Sequence, residues 1–551
     1  MMKITIDGKE IEFQQGETII QAAKRAGIEI PHFCWHPGLS IAGNCRICLV
    51  EIEKAPKLMI ACSTLAQEGM VVNTKNDKVV KAQNAVMEFL LINHPLDCPI
   101  CDEAGECKLQ DYAFKYSTGI SRFDEEKNHK EKRVELGPNV MFDQERCISC
   151  SRCIRFCDEI AKEPQLTFVN RGEKVTIETF PGKSLDNPYS MNVIEICPVG
   201  ALTSRHFRFK SRVWDMSFTD SICPGCSRGC NTIIGVRNNE ILRIEPRENQ
   251  NVNQWWLCDY GRLETIKNTN NREKRITSPS ILNTENIIGT ENQIQTDWDE
   301  AIGNTVAILT SYKDDMLFVG SAYSTLEDNY ALMKLAKTLT GREDVFYIPR
   351  TDESFGDDIL RKSDMTPNTQ GCKLLGMKEL TEEILAELKS KKYKSVFWMN
   401  NDDSLIANAK EYFRDVETNI QVLSYHGILS SRANVLLPLS IYAEINGTFI
   451  NFENYIQRLK PAMTTIEQER LIGQYEMSRL DKFGAPNDSW TQGTKFNARP
   501  GWKIIKAIAK AMNIEFDFEN SEEVFSELCK EKFGLDNFDY DSVGSSGYKL
   551  K

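Results

Sequence analysis

Apolar and polar residues alternate at the start of the chain. Ile4, Ile6, Ile11 and Phe13 are spaced for one face of a sheet on either side of Gly8. Residues 3–13 therefore predict a strand, a turn and a second strand. From 17 to 26 the apolar spacing becomes helical and stops at Gly27, a residue suited to a helix C-terminus. Another helix is predicted over 79–92, running directly into His94. The charge run at 124–133 predicts a solvated linker or surface loop with no chemical role. Two further units occupy 141–205 and 217–262, and the polar stretch 267–280 suits an extended crossing segment. Beyond about 297 the texture changes. Short apolar runs at 316–319, 395–399 and 421–423 alternate with amphipathic stretches at 329–339 and 381–388, which predicts a parallel α/β layer. The tail 540–551, with Gly544-Ser545-Ser546-Gly547, is predicted to be loose.

A length of 551 residues gives room for three or four domains, and 41% hydrophobic with 26% charged residues is ordinary for a soluble globular protein. The net charge of −12 argues against nucleic acid as a partner, because phosphate binding needs clustered Lys and Arg. No apolar run approaches a membrane span, so membrane association is expected only through partner subunits. The N-terminus lacks the apolar core of a secretory signal. In a reducing compartment, eighteen cysteines at recurrent spacings imply metal sites instead of disulfides.

Fifteen of those cysteines and one histidine form four groups before residue 259. The first is Cys34, Cys45, Cys48 and Cys62, with a tight Gly43-Asn44-Cys45-Arg46-Ile47-Cys48 loop that lets backbone N–H groups approach sulfur. Four thiolates on such a scaffold favour a 2Fe–2S centre over structural zinc, which usually takes two CxxC knuckles where this group has one. His32 and His36 flank Cys34 and are expected to pack locally. The second group is His94, Cys98, Cys101 and Cys107. Three cysteines leave a cubane one ligand short, and His94 is the nearest candidate donor, although three cysteines and a histidine also suit zinc. An imidazole in place of a thiolate removes one negative charge and should raise the reduction potential.

The third group, Cys147, Cys150, Cys153 and Cys197, has a ferredoxin triplet and a Cys197-Pro198 closure. A second ferredoxin triplet would fall at positions 187, 190 and 193, which hold Asn187, Ser190 and Val193. One 4Fe–4S centre is expected, with Cys157 left as a buried free thiol. The fourth group, Cys223, Cys226, Cys230 and Cys258, carries Gly225 and Gly229 in its loop and suits another 4Fe–4S centre, with zinc as the alternative. Cys372 and Cys529 are solitary and expected to be structural. No residue is assigned a catalytic role, and no Gly-rich dinucleotide fingerprint follows a strand.

Taken together, these motifs resemble the large iron–sulfur subunit of respiratory complex I, the NADH:quinone oxidoreductase, known as the G subunit in bacteria and the 75-kDa subunit in mitochondria. The residues that carry the likeness are His94-Pro95-Leu96-Asp97-Cys98-Pro99-Ile100-Cys101-Asp102, the run 147–156, Ile196-Cys197-Pro198-Val199-Gly200-Ala201-Leu202-Thr203 and Cys258-Asp259-Tyr260-Gly261-Arg262. Weaker echoes at 297–302, 433–438, 444–451 and 457–458 resemble the α/β scaffold of molybdopterin oxidoreductases.

The resemblance implies an α/β and α+β multidomain chain. It comprises a β-grasp 2Fe–2S domain (1–78), a His/Cys-ligated 4Fe–4S domain (79–120) and a ferredoxin-like 4Fe–4S domain (138–212). A 4Fe–4S domain of molybdopterin-oxidoreductase type (216–272) and a truncated α/β domain of that type (273–539) follow. One 2Fe–2S and three 4Fe–4S clusters are implied, without molybdenum or molybdopterin. The fourth cysteine group is kept in only some members of the family and is thought to lie off the main electron path. The implied role is electron relay from a flavin-bearing, NADH-oxidising subunit toward a downstream 4Fe–4S subunit and the quinone-site subunits. The implied location is peripheral, on the cytoplasmic side of the bacterial inner membrane. The rival readings are an NAD-linked formate dehydrogenase and a hydrogenase. The first would need a ligating Cys followed by His and Arg, where Cys372 is followed by Lys373 and Leu374; the second would need cysteines beyond the two that follow residue 258.

Overall fold

A computed structural model describes residues 2–283, 293–390, 392–400, 409–413, 416–468 and 493–551, so parts of the expected 273–539 domain lie outside the described residues. The chain divides into two compact units, Met1–Trp214 and Asp215–Lys551.

In the first unit, β1 (Met2–Ile6) and β2 (Lys9–Phe13) form a hairpin through Asp7 and Gly8, both with positive φ. That turn matches the twist of the strands it joins. With β3 (Leu49–Ile52), β4 (Met59–Ile60) and β5 (Val71–Asn73) they make a sheet in the order β2-β1-β5-β3-β4. The helix Ile19–Arg25 lays Ile19, Ile20, Ala22 and Ala23 into the same core as Ile4, Ile6, Val50 and Val72. Gln21 Oε1 accepts the Thr18 N–H at the start of this helix, and Gly27 turns left-handed after its end.

The helix Asp77–Ile92 is capped by Asn76, whose side chain accepts the Val79 N–H. The 124–133 charge run lies at the surface, as expected, and two of its lysines tie it down. Lys127 Nζ donates to the Leu91 and Ile92 carbonyls, and Lys132 Nζ reaches Asp97 and Glu145. Free carbonyls at a helix C-terminus recruit a lysine, so the run straps two segments together. Next come β6 (Val134–Glu135), β7 (Val140–Phe142), the hairpin β8 (Leu166–Val169) with β9 (Thr176–Thr179), and β10 (Leu202–Ser204), which pairs with β7.

The second unit opens with the antiparallel sheet β11 (Ser217–Ile222), β12 (Asn231–Arg237) and β13 (Glu240–Pro246), followed by the helix Asp259–Thr269. Its main layer is an eight-stranded sheet. The strands are β14 (Ser280–Leu282), β15 (Gln293–Gln295), β16 (Met316–Val319), β17 (Val345–Tyr347), β18 (Lys378–Glu379), β19 (Ser395–Asn400), β20 (Thr418–Leu423) and β21 (Val435–Pro438), in the order β15-β14-β21-β20-β19-β16-β17-β18. The run from β21 to β18 is parallel, and β14 and β15 add antiparallel strands at one edge. Side chains alternate between two apolar layers. Phe318, Phe397, Ile420 and Val422 face one core, and Val319, Val396, Trp398 and Leu423 the other.

The tail is not loose. A smaller sheet joins β22 (Gly447–Ile450), β23 (Tyr455–Leu459) and β24 (Tyr548–Lys549), and Tyr540 is buried. The Ser545 carbonyl accepts from Arg247, and the Ser546 carbonyl from Asn249. Gly544 and Gly547 have positive φ and turn the chain back to the sheet instead of leaving it in solvent.

Two buried carboxyls fix the helix Leu326–Thr340 to this tail and to the helix Gly501–Ala511. Glu327 accepts the Thr448 N–H and hydroxyl at 2.9 and 3.0 Å and the Tyr540 hydroxyl at 2.9 Å. Asp328 accepts the Trp502 N–H at 2.8 Å. Burial pushes Glu327 up to about 7 and Asp328 up to about 6. Each contributes stability that is fully present below its unfolded value and lost as pH rises through its folded value. The urea stability of the chain should therefore fall between about pH 4 and 7 by on the order of 5 kcal/mol. Glu327→Gln should remove about half of that slope; an unchanged slope would exclude the side chain as its source.

Candidate metal centres

Each of the four groups sits on a short loop leaving a regular element. In the first group, positive φ at Gly43 and Arg46 curls the loop between Cys34 and Cys48. The Cys34 N–H points at Cys45 Sγ at 3.5 Å. The sulfurs are in mutual contact, Cys34 with Cys45 and Cys62, and Cys48 with Cys62. Hydrogen bonding from Cys45 and Cys62 holds the Cys34 thiol far below its ordinary value, and that from Cys62 lowers Cys48. Cys45 and Cys62 are pushed up in return, so the set shares its protons. His32 and His36 pack locally. His32 sits edge-on to Trp35 with Nδ1 at 2.9 Å from the Ile30 carbonyl, and His36 Nδ1 accepts the Gly38 N–H.

In the second group, Cys98 opens a single 3-10 turn and is exposed, Cys101 is buried and Cys107 caps the helix Lys108–Tyr116. Cys101 lies within electrostatic reach of both other cysteines. His94 follows the helix Asp77–Ile92, and burial lowers it to about 4, which keeps the imidazole neutral and able to donate to a metal. Arg212 donates to the Cys101 and Pro99 carbonyls, and the Asp102 carboxylate accepts the Phe209 N–H, so residues 209–212 clamp the loop. A Cβ on Gly200 would stand 2.2 Å from Cys101 Sγ, closer than atoms can approach.

The third group surrounds a small apolar cavity. Cys147, Cys150, Cys153 and Cys197 line it with Phe142, Ile177, Val199 and Leu202. Ser149 and Ser151 adopt positive φ, and the Ser149 N–H points at Cys147 Sγ at 3.4 Å. Burial raises all four thiols, Cys147 to about 11. Cys157 is fully buried with its thiol pushed up to about 12, as a structural cysteine would be. Asn187, Ser190 and Val193 are also buried. Asn187 Nδ2 donates to Gln165 Oε1 at 2.7 Å and Ser190 Oγ accepts from Asn139, so a polar network fills the place of a second triplet.

The fourth group joins the end of β11 to the start of β12, and Cys258 caps the helix Asp259–Thr269. The Gly225 N–H points at Cys223 Sγ at 3.4 Å and the Gly261 N–H at Cys258 Sγ at 3.3 Å. A Cβ on Gly261 would lie 2.9 Å from Cys223 Sγ. All four thiols are buried and raised by burial, Cys223 to about 12. Among the described residues, no three His, Cys, Asp or Glu side chains converge as one metal ion needs. Backbone N–H groups aimed at sulfur, glycines in contact with it and a cavity walled by four cysteines fit iron–sulfur groups.

The arginines beside these groups escaped the sequence reading. Arg152 is buried and donates to the Ile196 and Trp35 carbonyls. Arg155 donates to the Cys34 carbonyl at 2.5 Å and the Cys150 carbonyl at 3.5 Å, joining the first and third groups. Arg146 reaches Asp97 and the Gly200 carbonyl between the second and third. The available signal was arginine inside the cysteine run itself, at 146, 152 and 155.

The sequence matches four family models in succession. They are described as a 2Fe-2S iron-sulfur cluster binding domain (1–77), an NADH-ubiquinone oxidoreductase-G iron-sulfur binding region (83–122), an NADH-quinone oxidoreductase subunit 3 ferredoxin-like domain (137–203) and a molybdopterin oxidoreductase Fe4S4 domain (216–264). The NADH-quinone oxidoreductase G subunit of Rickettsia conorii is 41% identical over 340 residues, 62% of this chain and 49% of that protein. The G subunit of Streptomyces coelicolor is 38% identical, covering 65% of this chain and 42% of that protein. The NADH-ubiquinone oxidoreductase 75 kDa subunit of Reclinomonas americana is 35% identical, covering 77% and 63%. The chain spans about half the length of the curated relatives it matches. A solved NAD+-reducing [NiFe]-hydrogenase chain is 28% identical over 38% of this chain and 91% of that chain, at a TM-score of 0.35, too low to carry the fold. The resemblance to the large iron–sulfur subunit of complex I is shown by these relatives, and iron–sulfur binding of both the 2Fe–2S and 4Fe–4S kinds by the domain matches.

Gly200→Ala should force Cys101 out of place. Reconstituted protein should lose roughly four iron atoms per chain, the complement of one cubane, whereas Cys157→Ala should lose none. Full iron in Gly200→Ala, by metal analysis, would mean that Cys101 is no ligand.

Proposed function

We propose that this chain, similar along its cysteine-bearing half to the G subunit of NADH:quinone oxidoreductase, is an electron-relay subunit of such a complex. The observation that carries the reading is the linkage of three cysteine groups within one compact unit. Arg155 ties the first group to the third through the Cys34 and Cys150 carbonyls, and Gly200 lies against Cys101 of the second group while following Cys197 of the third. Clusters bound here supply one-electron chemistry, and everything else falls to the residues. Burial of most of the thiols limits water, backbone N–H groups face the sulfurs, and Arg152 and Arg155 offset the negative charge that reduction adds. The spatial order first, third, second differs from chain order, and electrons would follow the spatial order.

The ligand sets are Cys34, Cys45, Cys48 and Cys62 for one 2Fe–2S cluster, and His94, Cys98, Cys101 and Cys107 for a 4Fe–4S cluster. Cys147, Cys150, Cys153 and Cys197 hold a second 4Fe–4S cluster, and Cys223, Cys226, Cys230 and Cys258 a third. The domains are those expected from the sequence, except that the tail from 540 joins the α/β unit. NADH, flavin and quinone bind to partner subunits, and this chain carries no substrate-turnover site. Exposed Leu96 and Ile100 flank exposed Cys98, with Phe89 and Phe114 exposed on the neighbouring helices, which suits docking of the downstream 4Fe–4S subunit at the second group. No helix among the described residues is long and apolar enough to cross a membrane. Attachment to the cytoplasmic side of the inner membrane comes through those partners.

Anaerobically purified protein should hold about fourteen iron atoms with matching sulfide and no molybdenum. Zinc in place of iron would return the chain to a structural scaffold, and stoichiometric molybdenum would make the α/β unit catalytic. His94→Ala should change the low-temperature EPR signal of one cluster and leave the others, and signals unaltered throughout would remove His94 from the ligand set.

A further inference from the structure

The second unit contains a cavity of about 110 Å³ that the relay does not use. Gly225, Tyr260, Tyr323, Arg350, Tyr425 and Tyr442 line it, and none of the four cysteines of the fourth group does, so it is separate from the space those thiols enclose. Its volume suits one ring, since an apolar cavity of about 150 Å³ holds benzene. Four tyrosines supply aromatic walls for a planar ligand. Arg350 lies beside the Tyr260 and Tyr323 hydroxyls, and the Asp352 carboxylate feels its charge without forming an ion pair with it among the described residues. Glu264, the acid in the lining, is paired with Lys267 at 3.3 Å and its side chain is 39% exposed.

We propose that this cavity binds a single-ring aromatic carboxylate, with the ring between the tyrosines and the carboxylate on Arg350, in contact with the loop of the fourth cysteine group. The link to that group is short. A Cβ on Gly225 would stand 3.4 Å from both Cys223 Sγ and the Tyr260 ring, and the Gly225 N–H already points at Cys223 Sγ. A bound anion adds negative charge beside a centre that becomes more negative on reduction, so its midpoint potential falls. This coupling rests on the fourth group holding a cluster, whereas the binding itself does not.

Benzoate titrated into the full-length, cluster-loaded chain tests both parts. Calorimetry should find one saturable site per chain, weakened at least tenfold in Arg350→Gln. Benzamide, which keeps the ring and lacks the charge, should be weakened similarly on the unaltered protein and needs no variant to fold. EPR-monitored redox titration should show one cubane shifted downward by benzoate and the others unmoved. No saturable binding, or equal affinity for benzamide, overturns the site. Saturable binding that moves no potential overturns the coupling. An iron content of roughly ten instead of fourteen fails the four-cluster reading separately, with calorimetry still judging the cavity.

Discussion

The close approach of backbone to sulfur is the constraint on which this structure depends. A thiolate cluster concentrates negative charge in a buried place, and N–H dipoles must face it without intervening side chains. Short loops achieve this only by turning sharply. Gly43 and Arg46 turn the first loop, Ser149 and Ser151 the third and Gly229 the fourth, all with positive φ. Gly200 and Gly261 meet sulfur so closely that any side chain would collide. Regular elements on either side serve to hold these loops bent, as when Cys107 and Cys258 each begin a helix.

Charge decides the next level. The chain carries a net −12, yet Arg146, Arg152 and Arg155 gather around the cysteine groups of the first unit. Arg152 and Arg155 donate chiefly to carbonyls, at Cys34, Trp35, Cys150 and Ile196, which orients the loops, whereas Arg146 reaches the Gly200 carbonyl while paired with Asp97 and Asp143. A lysine offers a point charge on a flexible stem; arginine's planar fork reaches two loops at once. The same side chains therefore bind the loops together and place positive charge beside the sulfurs.

Much of the candidate site was legible because cysteine spacing and turn geometry are local. The Ile4–Phe13 alternation, the Gly27 stop and the 316–319, 395–399 and 421–423 strands appear where the pattern put them. What escaped was non-local. Nothing near Gly200 in sequence announces Cys101 beside it, and Arg155 reads as a charged residue in a run until Cys34 is seen across from it. The tail looked loose because Gly and Ser dominate it, yet Asn231, Arg247 and Asn249, some three hundred residues earlier, supply its partners. The 124–133 run is at the surface as its charges suggested, but nothing in it announced that Lys127 meets the carbonyls at a distant helix end.

Those long-range partners also explain what an α/β layer contributes to a chain whose chemistry lies in its loops. The segment Cys223–Cys230 has little structure of its own, and the second unit holds it from several sides. Gln457 Nε2 donates to the Gly229 carbonyl at 2.8 Å, Asn451 to the Arg228 carbonyl, and the Phe452 N–H to the Ser227 carbonyl. Ser227 N–H in turn donates to Asp364, and Arg228 reaches the Ile359 and Leu360 carbonyls. The clamps come from β23 and from connections outside the parallel strands, so the eight-stranded sheet acts as a rigid frame for the elements that hold one cysteine segment. A layer used in this way needs stiff strands and well-placed loop ends.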